Sequence, residues 1–345
     1  MEYITDININ EAIIHVLDVN GEEPVLNEYK IELDEDIYRF LYKHIEKCLK
    51  DDELKYGKFN YERNIVKEVV QDYLNGIDSD LITLSKELAR QLFVIMKSNI
   101  NIPSADLIIA SIITDQGPMI AILKMDYVKN FTHEIQFIDK KVGIGIVPQI
   151  AGLPASGQRI QKAAFIKPIR EDEIYNLMIL DKQKSTKEEE YGANYFINTF
   201  LGATIITNER DMTKEFIQSS EKFVRRTITD DAELAEKVRS TIKTKLEEEE
   251  SINLDELSEE LFGDDQTLKE SFKCDLKMKA IPDDVAIDKR YIDKKLKRVR
   301  LNIDREIDLY INKDTYSDKN KFEVVRNGDG SINLVIKNVI NYIEK

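Results

Sequence analysis

Along the first hundred residues, apolar side chains first alternate with polar ones and then recur every three or four positions. ININEAIIHVLD (residues 7–18) and PVLNEYKIEL (residues 24–33) carry partly alternating β-branched residues on either side of Asn20-Gly21, which predicts two opening strands joined by a turn. Ile37, Phe40, Leu41, Ile45, Cys48 and Leu49 then repeat at helical spacing behind Asp36, a candidate N-cap. A second stripe of Leu81, Leu84, Leu88, Leu92 and Ile95 follows Ser79-Asp80. From residue 102 the period changes back. ADLIIASIITD and MIAILKMDYV, joined through Gln116-Gly117-Pro118, predict a hairpin of buried strands, and VGIGIVPQIA, KAAFIKPI and YNLMILD extend the sheet. These strands lack the intervening helices of βαβ units, so residues 1–183 predict an α+β domain with a mainly antiparallel sheet.

The polar run DKQKSTKEEE marks a boundary near residues 181–190, and helical spacing dominates residues 184–296. YFINTFLGA opens that segment, Phe216, Ser220, Phe223 or Val224, and Thr227 share a face, and Leu234, Val238, Ile242 and Leu246 form a four-residue stripe. Alternation returns in RVRLNI, IDLYI, FEVVRN and SINLVIKNV. The turn Asn327-Gly328-Asp329-Gly330 between the last two predicts a hairpin in a small β unit over residues 297–345.

At 345 residues, 42% hydrophobic and 33% charged, the chain has the composition of a globular protein with more than one core. Its apolar runs fall short of the roughly 20 residues a membrane span needs, and MEYITDINI lacks the basic and apolar regions of a secretory signal, so a cytoplasmic chain is expected. Cys48 and Cys274 are far apart and His15, His44 and His133 are scattered, a pattern that predicts core thiols and structural histidines with no disulfide, metal or cofactor. Gly143, Gly145, Gly152 and Gly157 depart from a dinucleotide fingerprint, because Pro148 takes the third glycine position and no helix pattern opens there. Ser156 sits in no nucleophile elbow. Asp106, Asp126 and Glu134 are candidates for a metal-dependent nuclease and read equally well as strand-end solvation. No catalytic residue is predicted, and binding rather than catalysis is the expectation.

Charge narrows the partner. A net charge of −15 repels DNA overall, so any contact with phosphate needs a local basic surface. Residues 228–266 hold fourteen acidic and four basic side chains and are excluded from that role. Two windows run the other way. Residues 140–170 carry Lys140, Lys141, Arg159, Lys162, Lys167 and Arg170 with no acid, and KRYIDKKLKRVRLNIDR (289–305) is net +6, with Lys294, Lys295, Lys297 and Arg298 at its centre. Few aromatics accompany them, which favours sequence-independent phosphate contact over base stacking.

The order and spacing of ININEAIIHVLD, YGKF (56–59), ADLIIASIITDQGPMIAILKMDYV, RIQKAAFIKP, YNLMILDKQ, YFINTFLGA and NGDGSINLVIKNV resemble the bacterial nucleoid-associated proteins of NdpA or YejK type across nearly the whole chain. The resemblance implies association with the nucleoid, through DNA or DNA-bound proteins, and supplies no catalytic motif. With the charge pattern, it leads to the expectation of a binder of double-stranded DNA through Lys140, Lys141, Arg159, Lys162, Lys167 and Arg170, aided by Lys294, Lys295, Lys297 and Arg298. A homodimer would double those contacts. The alternatives are a protein adaptor that docks a basic DNA-bound partner on its acidic helices, and a metal-dependent nuclease.

Overall fold

Alternation at the N-terminus produces the first strand, β1 (Ile7–Leu17), whose Ile7, Ile9, Ile13 and Leu17 are buried. The computed structural model describes residues 3–78, 80–99, 101–127, 130–138, 141–149, 153, 154, 158, 160–182, 194–303 and 306–341. After β1 come α1 (Glu35–Leu49), β2 (Lys55–Phe59), α2 (Ile65–Leu74), α3 (Leu81–Lys97), β3 (Ala105–Thr114), β4 (Gly117–Asp126), β5 (Asn130–Ile138) and β6 (Lys141–Gln149). β7 (Lys162–Ile166), β8 (Leu177–Asp181), a π-helical segment (Tyr195–Leu201) and β9 (Ala203–Ile206) complete the first of two compact units, residues 2–206. Seven strands make one antiparallel sheet in the order β1-β3-β4-β7-β8-β2-β9, and β5 and β6 pair separately.

The sheet is held by one face of apolar side chains. Leu81, Leu84, Leu88 and Leu92 of α3 pack with Ile13, Leu107, Ile109, Ile120 and Ile122 from β1, β3 and β4. Burying each such leucine contributes about 2 kcal/mol. Asp80 caps α3 by accepting from the Ile82 and Thr83 amides at 3.1 Å, and Asp34, two residues before the expected cap, accepts from the Ile37 amide at 2.8 Å to start α1. The second opening strand does not form. The backbone of residues 24–33 meets β1 through a Val16–Val25 bridge and one bond from the Ile31 amide to the Ala12 carbonyl, with no continuous ladder, because Pro24 offers no donor and the segment's charged side chains are exposed.

YFINTFLGA joins this unit rather than opening the helical segment. Phe196 and Phe200 are fully buried in its core, and β9 pairs with β2. Gly202 makes the turn between them at φ 59°, where a Cβ would stand 2.8 Å from Asn64 Nδ2, the atom that donates to the Phe200 carbonyl. The boundary run at 181–190 lies mostly outside the described residues.

The second unit, residues 207–345, contains α4 (Glu209–Thr227), α5 (Ala232–Glu248), β10 (Ser251–Asn253), α6 (Leu254–Phe262), α7 (Gln266–Lys277), β11 (Asp284–Ala286) and α8 (Lys289–Lys295). β12 (Arg298–Ile303), β13 (Ile307–Asn312), α9 (Lys313–Ser317), β14 (Phe322–Arg326) and β15 (Ile332–Ile336) follow. Its core is aromatic at the centre, with Phe223 edge-on to Phe272 at 5.1 Å and to Phe262 at 6.0 Å. The terminal strands do not stand apart: the Gly330 carbonyl accepts from the Glu233 amide, and Arg326 pairs with Glu236 of α5 at 2.6 Å. The fold class is α+β, as expected. Among the described residues no helix is long and apolar enough to cross a membrane. Cys48 is a core thiol whose pKa burial pushes up to about 12, whereas Cys274 corrects the expectation by lying exposed on α7.

His15 sits on β1 between the sheet and α3. Its Nδ1 accepts from the Asn27 amide at 3.0 Å, so Nε2 carries the proton and donates to Ser85 Oγ at 2.9 Å, and Ser85 donates in turn to the Ile82 carbonyl. Burial, with Lys86 and Arg90 nearby, lowers its pKa to about 4. The unfolded chain therefore takes up this proton first as pH falls, and stability is lost between about pH 6.5 and 4. Asp106, pushed up to about 6 by burial, acts in the opposite direction across pH 4–6. The His15 contribution is isolated by urea unfolding of wild type and His15→Gln: the stability gap is expected to shift against wild type by up to about 3 kcal/mol between pH 7 and 4. A pH-independent gap would show that the imidazole is not held neutral.

Candidate nucleic-acid interface

Two of the six cations in the acid-free window of residues 140–170 are buried against carboxylates. Lys162 of β7 lies across from Asp181 of β8, bonds it, and stands 4.8 Å above the Tyr195 ring. Lys167 pairs with Glu173 at 3.4 Å and covers Tyr175 at 4.5 Å. Both lysines are buried, so phosphate could reach them only by stripping a carboxylate from an ammonium in a low-dielectric setting. They are removed from the expected contact set. Lys141 and Arg170 are exposed, one on β6 and the other in the loop after β7, while Lys140 and Arg159 lie outside the described residues. The window lacks acids only in sequence, since chain reversal supplies Asp181 and Glu173 from beyond it.

The second window divides by role. Lys289 donates to the Leu246 and Glu247 carbonyls and closes the C-terminus of α5, and Arg300 pairs with Asp308 at 3.3 Å. Lys294, Lys295, Lys297 and Arg298 are exposed at the end of α8 and the start of β12. Lys295 does not stand alone. It lines a groove of about 690 Å³ with Tyr291 of α8 and with Lys214, Lys222, Arg225 and Arg226 of α4.

Helical geometry makes this stripe. Residues 214, 218, 222, 225 and 226 are three or four apart and share one side of α4, while Phe216, Phe223 and Val224 turn to the core. The stripe from Lys214 to Arg225 spans roughly 16 Å, on the order of five base-pair steps of duplex. One carboxylate, Glu221, enters the groove. It accepts from Arg225 at 2.7 Å and from Arg239 at 2.9 Å, so a single negative charge is shared by two guanidiniums. Arg226 pairs with Asp275. Among the described residues, Lys214, Lys222 and Lys295 form no ion pair, and neither do Lys297 and Arg298. Arg225, Arg226, Lys294 and Lys295 also stand in last helical turns, where their charge favours the helix dipole.

A larger cavity of about 1160 Å³ lies between α5 and the strands β12, β14 and β15. Its arginines are engaged: Arg225 and Arg239 by Glu221, and Arg300 by Asp308. It therefore offers phosphate less free charge than the α4–α8 groove. The carboxylates considered for nuclease chemistry go separate ways. Asp106 is buried on β3, Asp126 bonds Lys124, and Glu134 is exposed on β5. Among the described residues no three His, Cys, Asp or Glu side chains gather as a metal site.

The α4 cations lie outside both basic windows, yet the sequence carries a signal for them. In MTKEFIQSSEKFVRRTI the face opposite the apolar one, Lys214, Gln218, Lys222, Arg225 and Arg226, has the same helical period.

Two comparisons bear on this geometry. The family model NA37, nucleoid-associated protein YejK, matches residues 13–344. No curated protein matches the chain.

Buried and exposed cations should respond differently to loss of charge. Lys162→Gln takes from buried Asp181 the ammonium it bonds and is expected to cost roughly 3–5 kcal/mol in chemical denaturation, whereas Lys222→Gln should stay within about 0.5 kcal/mol of wild type. Equal costs would show that the two lysines do not differ in this way.

Proposed function

The chain belongs to the NA37 family of nucleoid-associated proteins, which is not an enzyme family, and from that membership we propose that it binds duplex DNA by its phosphates in the α4–α8 groove. The observation that carries this reading is the convergence of Lys214, Lys222, Arg225, Arg226 and Lys295 on one groove of an acidic protein. Lys294, Lys297 and Arg298 extend the positive surface beyond it. Lysines without carboxylate partners are the ones that displace counterions from DNA at little cost, because no internal bond is given up. Base readout needs side chains fixed against base edges, and a groove of flexible lysines selects no sequence. Binding is thus modest, sequence-independent and steeply salt-dependent, and it places the protein on the bacterial nucleoid in the cytoplasm.

The acidic face of the same unit supports a second reading, that of an adaptor for a basic DNA-bound protein. Asp255, Glu256, Glu259 and Glu260 of α6 are exposed, and Asp264 stands exposed just beyond it. Lys273, Lys269 and Lys245 pair with Asp255, Glu259 and Glu260, which leaves Glu256 and Asp264 outside these pairs. A partner of opposite charge would be steered to that side.

Titration of purified protein against random duplex DNA over a range of salt separates the two. The phosphate reading predicts binding at low salt, with a log K against log salt slope that flattens by about 0.9 for each cation removed from the groove by Lys214→Gln, Lys222→Gln and Lys295→Gln. Lys141→Gln and Arg170→Gln should leave the slope unchanged. No binding at low salt would refute direct contact and favour the adaptor.

A further inference from the structure

β5 and β6 form a two-stranded ribbon in which His133 pairs with Ile146, Ile135 with Ile144, and Phe137 with Val142. Successive side chains point to opposite faces, so Ile135, Phe137, Val142, Ile144 and Ile146 share one face with His133, and with Phe131 and Pro148 beyond it, while Thr132, Glu134, Gln136, Lys141, Gly143 and Gly145 take the other. The apolar five are 55%, 77%, 62%, 73% and 79% exposed. A ribbon of two strands is marginal in water, and one whose apolar side faces solvent loses what would stabilise it.

We propose that this face is the contact between two copies of the chain, packed apolar side to apolar side about a two-fold axis. Area is the first argument. At these exposures five such side chains offer roughly 600 Å², the upper end of the apolar patches of monomers and about three quarters of the ~800 Å² that each partner gives a stable interface. Exposed Pro148 and the ribbon backbone add to it. Charge is the second. Two copies each carrying −15 repel through nearly any other surface, and these five positions bring no charge to the contact. The same lack of cations removes the five from any phosphate role. Shape is the third: β-branched Ile135, Ile144 and Ile146 lie next to the broader Phe137, so a face turned over on its own copy sets large side chains against small ones.

This inference goes beyond the phosphate reading and does not rest on it. Where both hold, one dimer presents two α4–α8 grooves, and the second engages at the effective concentration set by the first.

Sedimentation equilibrium of the full chain tests the contact. Wild type is expected at twice the mass of one chain at micromolar concentration, and still so at high salt, where DNA binding is lost. Ile144→Lys is expected to weaken self-association by at least about 30-fold, the effect of a central interface residue, and Ile146→Lys similarly. Diluted until wild type too is monomeric, their thermal midpoints should match it, because both positions face water in the single chain. Glu134→Gln on the opposite face should leave the dimer intact. A monomeric wild type, or a dimer indifferent to both lysine substitutions, would overturn the proposal, and neither result bears on DNA affinity.

Discussion

A lysine ammonium buried in a sheet costs several kcal/mol unless a carboxylate goes with it, and the first unit is organised around that constraint. Lys124 with Asp126, Lys162 with Asp181, and Lys182 with Asp51 enter the fold as pairs, the second of them bonded across neighbouring strands. Burial pushes the Lys124 pKa down even against the pull of Asp126, a measure of how dry the site is. The Lys162–Asp181 pair fixes β7 against β8, since slipping either strand by one residue would part the charge from its partner, while Lys124 and Asp126 share β4 and Lys182 ties the end of β8 to Asp51 after α1. The three pairs also take their cations out of reach of any ligand.

Phosphate binding, as proposed, is left to the cations that such pairing does not consume. In a chain with 65 acidic and 50 basic side chains, carboxylates are in excess, and Lys214, Lys222 and Lys295, which form no ion pair among the described residues, nevertheless line the same groove. Neither helix needs them for its core, which Phe216, Phe223, Tyr291 and Ile292 supply. The family's association with the nucleoid and the groove's charge thus point the same way, although one comes from the whole sequence and the other from two helices.

Local pattern made the long elements legible: α1, α3, β3, β4 and the β14–β15 hairpin each carry a period that only one structure satisfies. Three things were not legible, each for a physical reason. The pairing of Lys162 and Lys167 depends on Asp181 and Glu173, which a window ending at Arg170 does not contain. β2 and α2 are short, and β2 is held in place only by β8 and β9, far along the chain. The basic side of α4 is masked by its own apolar face, because the strongest periodic signal in a well-packed helix comes from the residues that pack. The first window loses Lys162 and Lys167 because the fold answers their charges, and in the second Lys295 meets the cations of α4 at one groove.

The central claim is that phosphate meets Lys214, Lys222 and Lys295 together. Lysine acetylation mapped by mass spectrometry, with and without random duplex DNA at low salt, addresses it residue by residue. Protection of these three, with Lys141 labelled equally in both samples, is the predicted result. Unchanged labelling in the groove, or protection confined to lysines outside it, would contradict the account.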